Sequence, residues 1–138
     1  MEAQPTTQIT EVLAELLASG ADVAKISSSV ALAWSEIEVS LSPVIGVAGV
    51  AALRKRSIHL AAREHPFLAG RTGIWDSDAL QRALTAQTRE DAAAAGASVL
   101  KQFNDLLAKL VGPDLTERLL RTAWNLLFIG TPKLDASS

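Results

Sequence analysis

Few side chains in this sequence are of a type that does chemistry, and the richest grouping centres on His59. Lys55, Arg56 and Arg63 stand three or four residues from it, the spacings that put side chains on one helical face. An imidazole on a helix beside cations is the layout of a phosphotransfer site. The ring nitrogen accepts a phosphoryl group, and neighbouring ammonium or guanidinium groups screen its charge. One position speaks against that chemistry: histidine phosphotransfer domains usually carry a lysine three residues after the histidine, and here Ala62 occupies it. A solvated basic face on a core helix explains the same residues more simply. Arg118 and Arg121 form a second basic stripe, and Lys55 coincides with Arg121 when the chain is shifted by 66 residues. Positive charge in helix C-terminal halves complements the dipole. Together Lys55, Arg56, His59, Arg63, Arg118 and Arg121 are the candidate anion or partner surface.

The other constellations that carry chemistry are missing. Cysteine is absent, which excludes disulfides, thiolate zinc sites, iron–sulfur clusters and a thiol nucleophile. Two histidines leave almost no material for a multi-histidine metal site. Glu64 and His65 are adjacent without HExxH spacing. Ser27-Ser28-Ser29 lacks the glycines of a nucleophile elbow. Gly46 and Gly49 are not followed by the Lys-Ser or Lys-Thr of a phosphate loop. The carboxylate pairs Glu11/Glu15, Glu36/Glu38 and Glu90/Asp91 read as solubilising charge, because nothing sets two carboxyls across a cleft as glycoside hydrolysis requires. No enzymatic activity, cofactor or metal is expected.

The elements that position these residues read as helices throughout. Tyrosine is absent and no Asn-Gly or Asp-Gly hairpin turn occurs. A first helix is expected after Pro5, capped by Thr6 or Thr7, burying Ile9, Leu13, Leu16 and Leu17 and stopping at Gly20. A second opens at Asp22 and carries Ile26, Val30, Ala33, Trp34, Ile37 and Leu41 at steps of three and four. Pro43 should end or kink it. The third runs from about Val47 to Glu64 with Val50, Leu53, Ser57, Leu60 and Ala61 inward. Residues 65–75 read as an irregular segment whose aromatics pack it down. Asp76 or Ser77 then caps a fourth helix burying Leu80, Ala83 and Leu84. A fifth, Gln87 to Val111, presents Val99, Phe103, Leu106, Leu107 and Leu110. The sixth starts with a capping-box-like Asp114 and Glu117, buries Leu119, Leu120, Ala123, Trp124, Leu127 and Phe128, and ends at Gly130-Thr131-Pro132. Trp75, just before a cap, suits either a staple for the loop or an interface.

A shift of 66 residues superposes Ile37 on Phe103, Leu41 on Leu107, Gly46 on Gly112 and Leu53 on Leu119, and one more residue of offset puts Leu13 on Leu80 and Leu17 on Leu84. The fold class expected is therefore all-α: one compact domain of about six helices, arranged as two tandem three-helix repeats (7–64 and 76–129) packed face to face, with a mobile tail at 131–138. Gly46 and Gly112 should sit at helix C-terminal turns where the chain reverses, making Gly112 less tolerant of substitution than Gly70.

The 138 residues are 49% hydrophobic and 20% charged with a net charge of −2. That balance lacks the basic excess of a nucleic-acid binder. No secretory pattern opens the chain, and Val44 to Leu53 is about half the length of a membrane span. A cytoplasmic protein with neither nucleic acid nor membrane as partner is expected.

Two blocks resemble small uncharacterised bacterial all-helical proteins: Leu41-Ser42-Pro43-Val44-Ile45-Gly46 with Gly49-Val50-Ala51-Ala52-Leu53, and Leu110-Val111-Gly112 with Leu115-Thr116-Glu117-Arg118-Leu119-Leu120-Arg121 and Trp124. They cover about a quarter of the chain, and the resemblance implies no activity. A mean hydropathy of +0.22 points to apolar surface buried between subunits. The reading that follows is a non-enzymatic regulatory or interaction module, acting on a protein partner or as a homodimer. The alternatives are the phosphotransfer protein centred on His59 and a carrier of an apolar ligand in the bundle core.

Overall fold

A computed structural model describes residues 5–69 and 75–129, with the side chains of 5–7 and 128–129 outside that description. Five helices follow one another: α1 (Pro5–Ala18), α2 (Val23–Ala61), α3 (Ser77–Thr85), α4 (Arg89–Val111) and α5 (Pro113–Ile129), with a 3-10 turn at Pro66–Leu68. No strand occurs among the described residues. The protein is an all-α bundle. Because α2 is broken at Gly46 (φ +84°, ψ 158°), it consists of two helical stretches, 23–45 and 47–61.

The chain doubles back at that break. Glu38 and Arg54, eight residues on either side of Gly46, meet at 3.1 Å, so the two stretches lie against each other as a hairpin. Gly112 does the same between α4 and α5 with nearly the same backbone (φ +94°, ψ 156°). Its N–H donates to Ala108 as the last bond of α4. Its carbonyl accepts from the backbone N–H of Thr116 as the first bond of α5 and from the Thr116 hydroxyl at 2.7 Å. One residue therefore closes one helix and caps the next, and Pro113 fills the first helical position, where no N–H is needed.

The two long hairpins agree residue by residue. Asp22 caps α2 by accepting from the N–H of Lys25 at 2.9 Å, and Thr88, 66 residues on, caps α4 by accepting from Asp91 at 3.1 Å. Every buried residue between 26 and 61 has a buried counterpart 66 positions later. The reverse also holds, save that buried Asn104 stands opposite half-buried Glu38. The short helices cross over: α1 lies against α4, and α3 against α2. Arg89 secures the first of these contacts by donating to the carbonyls of Leu17 and Ala21 at 2.6 Å each, a cation on the carbonyl end of α1. Each half thus covers its partner's core, which centres on Trp34, Ile37, Leu41, Leu100, Phe103 and Leu107, all fully buried.

Several details differ from the sequence reading. Thr6 and Thr7 lie inside α1, which starts at Pro5. Helix α2 passes through Pro43, where the ring's missing N–H costs little because Pro43 and Val39 both face solvent. Gly46 makes the break instead. Leu17, Leu53, Leu60, Leu106 and Leu119 are only half-buried, at the edges of their apolar stripes. Leu110 is 62% exposed. Asp114 lies in the first turn of α5 and does not cap it. Gln87 precedes α4. Gly70, the Phe128 side chain, Gly130-Thr131-Pro132 and the 131–138 tail lie outside the described residues.

The φ/ψ pair shared by Gly46 and Gly112 falls in a region open essentially to glycine alone. A Cβ at either position would meet no atom within 4 Å, so any penalty is conformational. Gly46→Ala and Gly112→Ala are each expected to lower stability by about 1–3 kcal/mol in urea denaturation. Gly96 offers the steric contrast, since its Cβ would stand 2.7 Å from Cγ2 of Val30. Val30→Ala should therefore soften the loss from Gly96→Ala, and no second-site change of this kind should soften Gly112→Ala.

Candidate functional site

The 47–61 stretch of α2 carries two unlike faces. Inward it presents Val50, Arg54, Ser57, Ile58 and Ala61, all buried; outward it presents Lys55, Arg56 and His59, with Arg63 just beyond its end, all exposed. Arg54 is the residue that the sequence reading missed. It occupies the inward stripe at a helical step from Val50 and Ser57, and only 6% of it reaches solvent.

Three partners make that burial tolerable. Nη1 donates to Oε1 of Glu38 at 3.1 Å, Nη2 donates to the carbonyl of Trp34, and the guanidinium carbon sits 5.0 Å from the centre of the Trp34 ring. Burial pulls the pKa of Arg54 below its ordinary value, while Glu38 and, at longer range, Asp76 push it back up. Glu38 is therefore more than solubilising charge. Its counterpart is Asn104, and the counterpart of Arg54 is Leu120, so the second half achieves the same hairpin with no ion pair there.

On the outer side, Lys55, Arg56, His59 and Arg63 share the rim of one cleft of about 1110 Å³. The 3-10 turn and Trp75 form its opposite wall, and Ile58, Leu68 and Trp75 form an apolar floor with 3%, 1% and 8% of their surfaces exposed. That wall is fixed from behind. The Trp34 indole N–H donates to the Trp75 carbonyl at 2.8 Å, and Asp76 caps α3 by accepting from Ala79 at 2.9 Å. Trp75 thus lies directly before the cap, and its ring forms part of the cleft. Among the described residues no carboxylate lines the cleft, and the four rim side chains make no hydrogen bond or ion pair.

Of the six residues singled out from sequence, the fold brings these four together and leaves two apart. Arg118 and Arg121 are exposed on α5 and do not line the cleft, and Arg121 pairs with Glu117 at 3.3 Å. His65 lies edge-on to Phe67 at 6.4 Å. No group of three or more His, Asp or Glu residues is arranged to hold a metal ion among the described residues.

A second feature is the corner around Gly46. From Val39 to Leu53 the chain carries no charged residue, yet Val39, Val44 and Val47 are 64%, 53% and 65% exposed. By length and composition α2 passes for a membrane span, with mean hydropathy 1.5 over 18 residues. The reversal at Gly46 divides it into stretches of about 34 Å and about 22 Å at the helical rise; the second is short of a bilayer core, and the first carries Lys25, Glu36 and Glu38. No family model, curated protein or solved structure matches this chain.

The Arg54–Glu38 pair yields a stability prediction. Glu38→Gln leaves the buried guanidinium without its anion and should cost about 1–3 kcal/mol in urea denaturation. Adding Arg54→Leu, which reproduces the residue at the equivalent position 120, should bring the double variant to within about 1 kcal/mol of the natural protein.

Proposed function

We propose that this chain is a non-enzymatic regulatory or interaction module that works through a helical surface and associates with a second copy of itself. The observation supporting this is the uncharged, exposed corner at 39–53. At the equivalent positions of the other hairpin stand Asp105, Lys109, Asp114, Glu117 and Arg118. The same backbone and the same buried pattern accept five charges there, Asp105 in place of Val39 among them, while Val44 and Val47 correspond to Leu110 and Pro113. A two-fold contact places a patch against itself, which favours a patch without like charges to repel. Val39, Val44 and Val47 meet that condition. We read the two hairpins as copies of one ancestral unit, a reading supported by their matched caps, glycines and burial, with the corner of one copy specialised for contact.

Sedimentation equilibrium at micromolar concentrations tests this. The natural protein should sediment as a dimer. Val39→Glu and Val47→Glu, at positions that face solvent in the single chain, should sediment as monomers with unchanged helical circular dichroism. A natural protein that stays monomeric overturns the reading. One that stays monomeric and floats with neutral lipid vesicles assigns the corner to a bilayer instead.

The exposure of His59 supports a second reading, the phosphotransfer protein, since an acceptor imidazole must be reachable and Lys55 and Arg63 stand one turn on either side. Incubation with phosphoramidate separates the two readings. Phosphotransfer requires acid-labile, alkali-stable phosphate that is lost in His59→Gln. The interaction module incorporates none.

A further inference from the structure

The cleft beside α2 has a chemistry of its own, independent of the corner. We propose that it binds an amphipathic anion: a molecule with a phosphate or carboxylate head and an aromatic or acyl body. The head would lie among Lys55, Arg56, His59 and Arg63, and the body against the floor of Ile58, Leu68 and Trp75.

Charge is the first support. Lys55, His59 and Arg63 follow at four-residue steps with Arg56 between them, and among the described residues no carboxylate lines the cleft. Lys55, Arg56 and Arg63 concentrate positive charge on this rim around His59, and their own helix offers no relief, because the rim side chains make no ion pair among the described residues. A bound anion supplies the missing countercharge through charge-assisted hydrogen bonds.

The second support is the floor. An isolated phosphate needs only the cations, yet the cleft runs on over apolar surface. The small Ala52, Ala62 and Ala69 leave room above it. Its volume of about 1110 Å³ slightly exceeds the roughly 300–1,000 Å³ of sites that take organic ligands of moderate size, so such a ligand fits with room to spare. Because the Trp75 carbonyl is held by Trp34 and Asp76 caps α3, the floor exists before any ligand arrives, which limits the ordering cost of binding.

The other hairpin is an internal control. The equivalents of Lys55, Arg56 and His59 are Arg121, Thr122 and Asn125, and Arg121 is answered by Glu117. The bundle therefore folds without an unanswered basic cluster at this position.

Calorimetric titration of the full chain with naphthyl phosphate tests the proposal. One molecule should bind per chain, more tightly at low ionic strength. Naphthol, which lacks the charge, and inorganic phosphate, which lacks the body, should each bind at least about tenfold more weakly. Arg56→Gln combined with Arg63→Gln should weaken naphthyl phosphate by about tenfold or more while leaving the melting temperature unchanged, since both side chains face solvent. Val47→Glu should bind as the natural protein does, which separates this site from self-association. Parallel titration with phosphatidic acid vesicles and with monomeric dodecyl phosphate identifies the source. Preference for vesicles marks a lipid headgroup, and preference for the monomer a free amphiphile. Equal binding of naphthol, equal binding of inorganic phosphate, undiminished binding by the double variant, or no binding of either phosphate amphiphile or of naphthyl phosphate overturns the proposal.

Discussion

The first half of this bundle is organised around the side chain of Trp34. The indole is fully buried, and each part of it is committed to a different element. Its N–H reaches the Trp75 carbonyl at the start of α3, Phe103 of α4 stands edge-on to it at 5.8 Å, and its π face meets Arg54 from the returning stretch of α2. The backbone carbonyl of the same residue accepts from that guanidinium. A buried indole with its polar handle satisfied contributes both a large apolar area and a fixed direction. The direction matters most for the cleft, because Trp75 forms one wall only while its carbonyl remains held.

Much of this architecture is legible in the sequence because apolar spacing and caps are local signals. Ile26, Val30, Ala33, Trp34, Ile37 and Leu41 fall on one helical stripe, and the structure buries all six. Asp22 and Asp76 cap where their positions suggest. Arg54 shows where such reading stops. Its residue type favours the surface, while its spacing from Val50, Ser57 and Ala61 places it in the core. The conflict resolves only once Glu38, sixteen residues earlier, is brought alongside by the reversal at Gly46. Pro43 misled for a related reason: the cost of its missing N–H depends on whether that side of the helix is wet, which the sequence does not state. The basic face is visible as a spacing, whereas the cleft is not, because Leu68 and Trp75 reach it from outside α2.

The close agreement of the two hairpins turns the molecule into its own comparison. Positions where both halves bury apolar side chains report what the bundle requires. Positions where they differ report what one half does in addition. The Arg54–Glu38 pair against Leu120 and Asn104 marks a difference in how a hairpin is tied. The uncharged corner and the unanswered cations mark further differences, and both belong to the first half.

The single-residue corners also set a rule for chain length. With only Gly46 or Gly112 between successive helices, the direction of the outgoing helix is set by one pair of dihedrals and has no slack to absorb an added residue. One insertion in the outgoing stretch would rotate everything beyond it by about 100°, carrying Arg54 off Trp34 in the first hairpin or Leu120 off its neighbours in the second. No single residue sets the direction of the chain between Ala62 and Leu68, where α2 gives way to the 3-10 turn. Homologous chains should accordingly accept insertions and deletions there, beside the cleft, and keep the number of residues through both corners unchanged. The contour of the cleft is then free to change between lineages while the bundle beneath it is not.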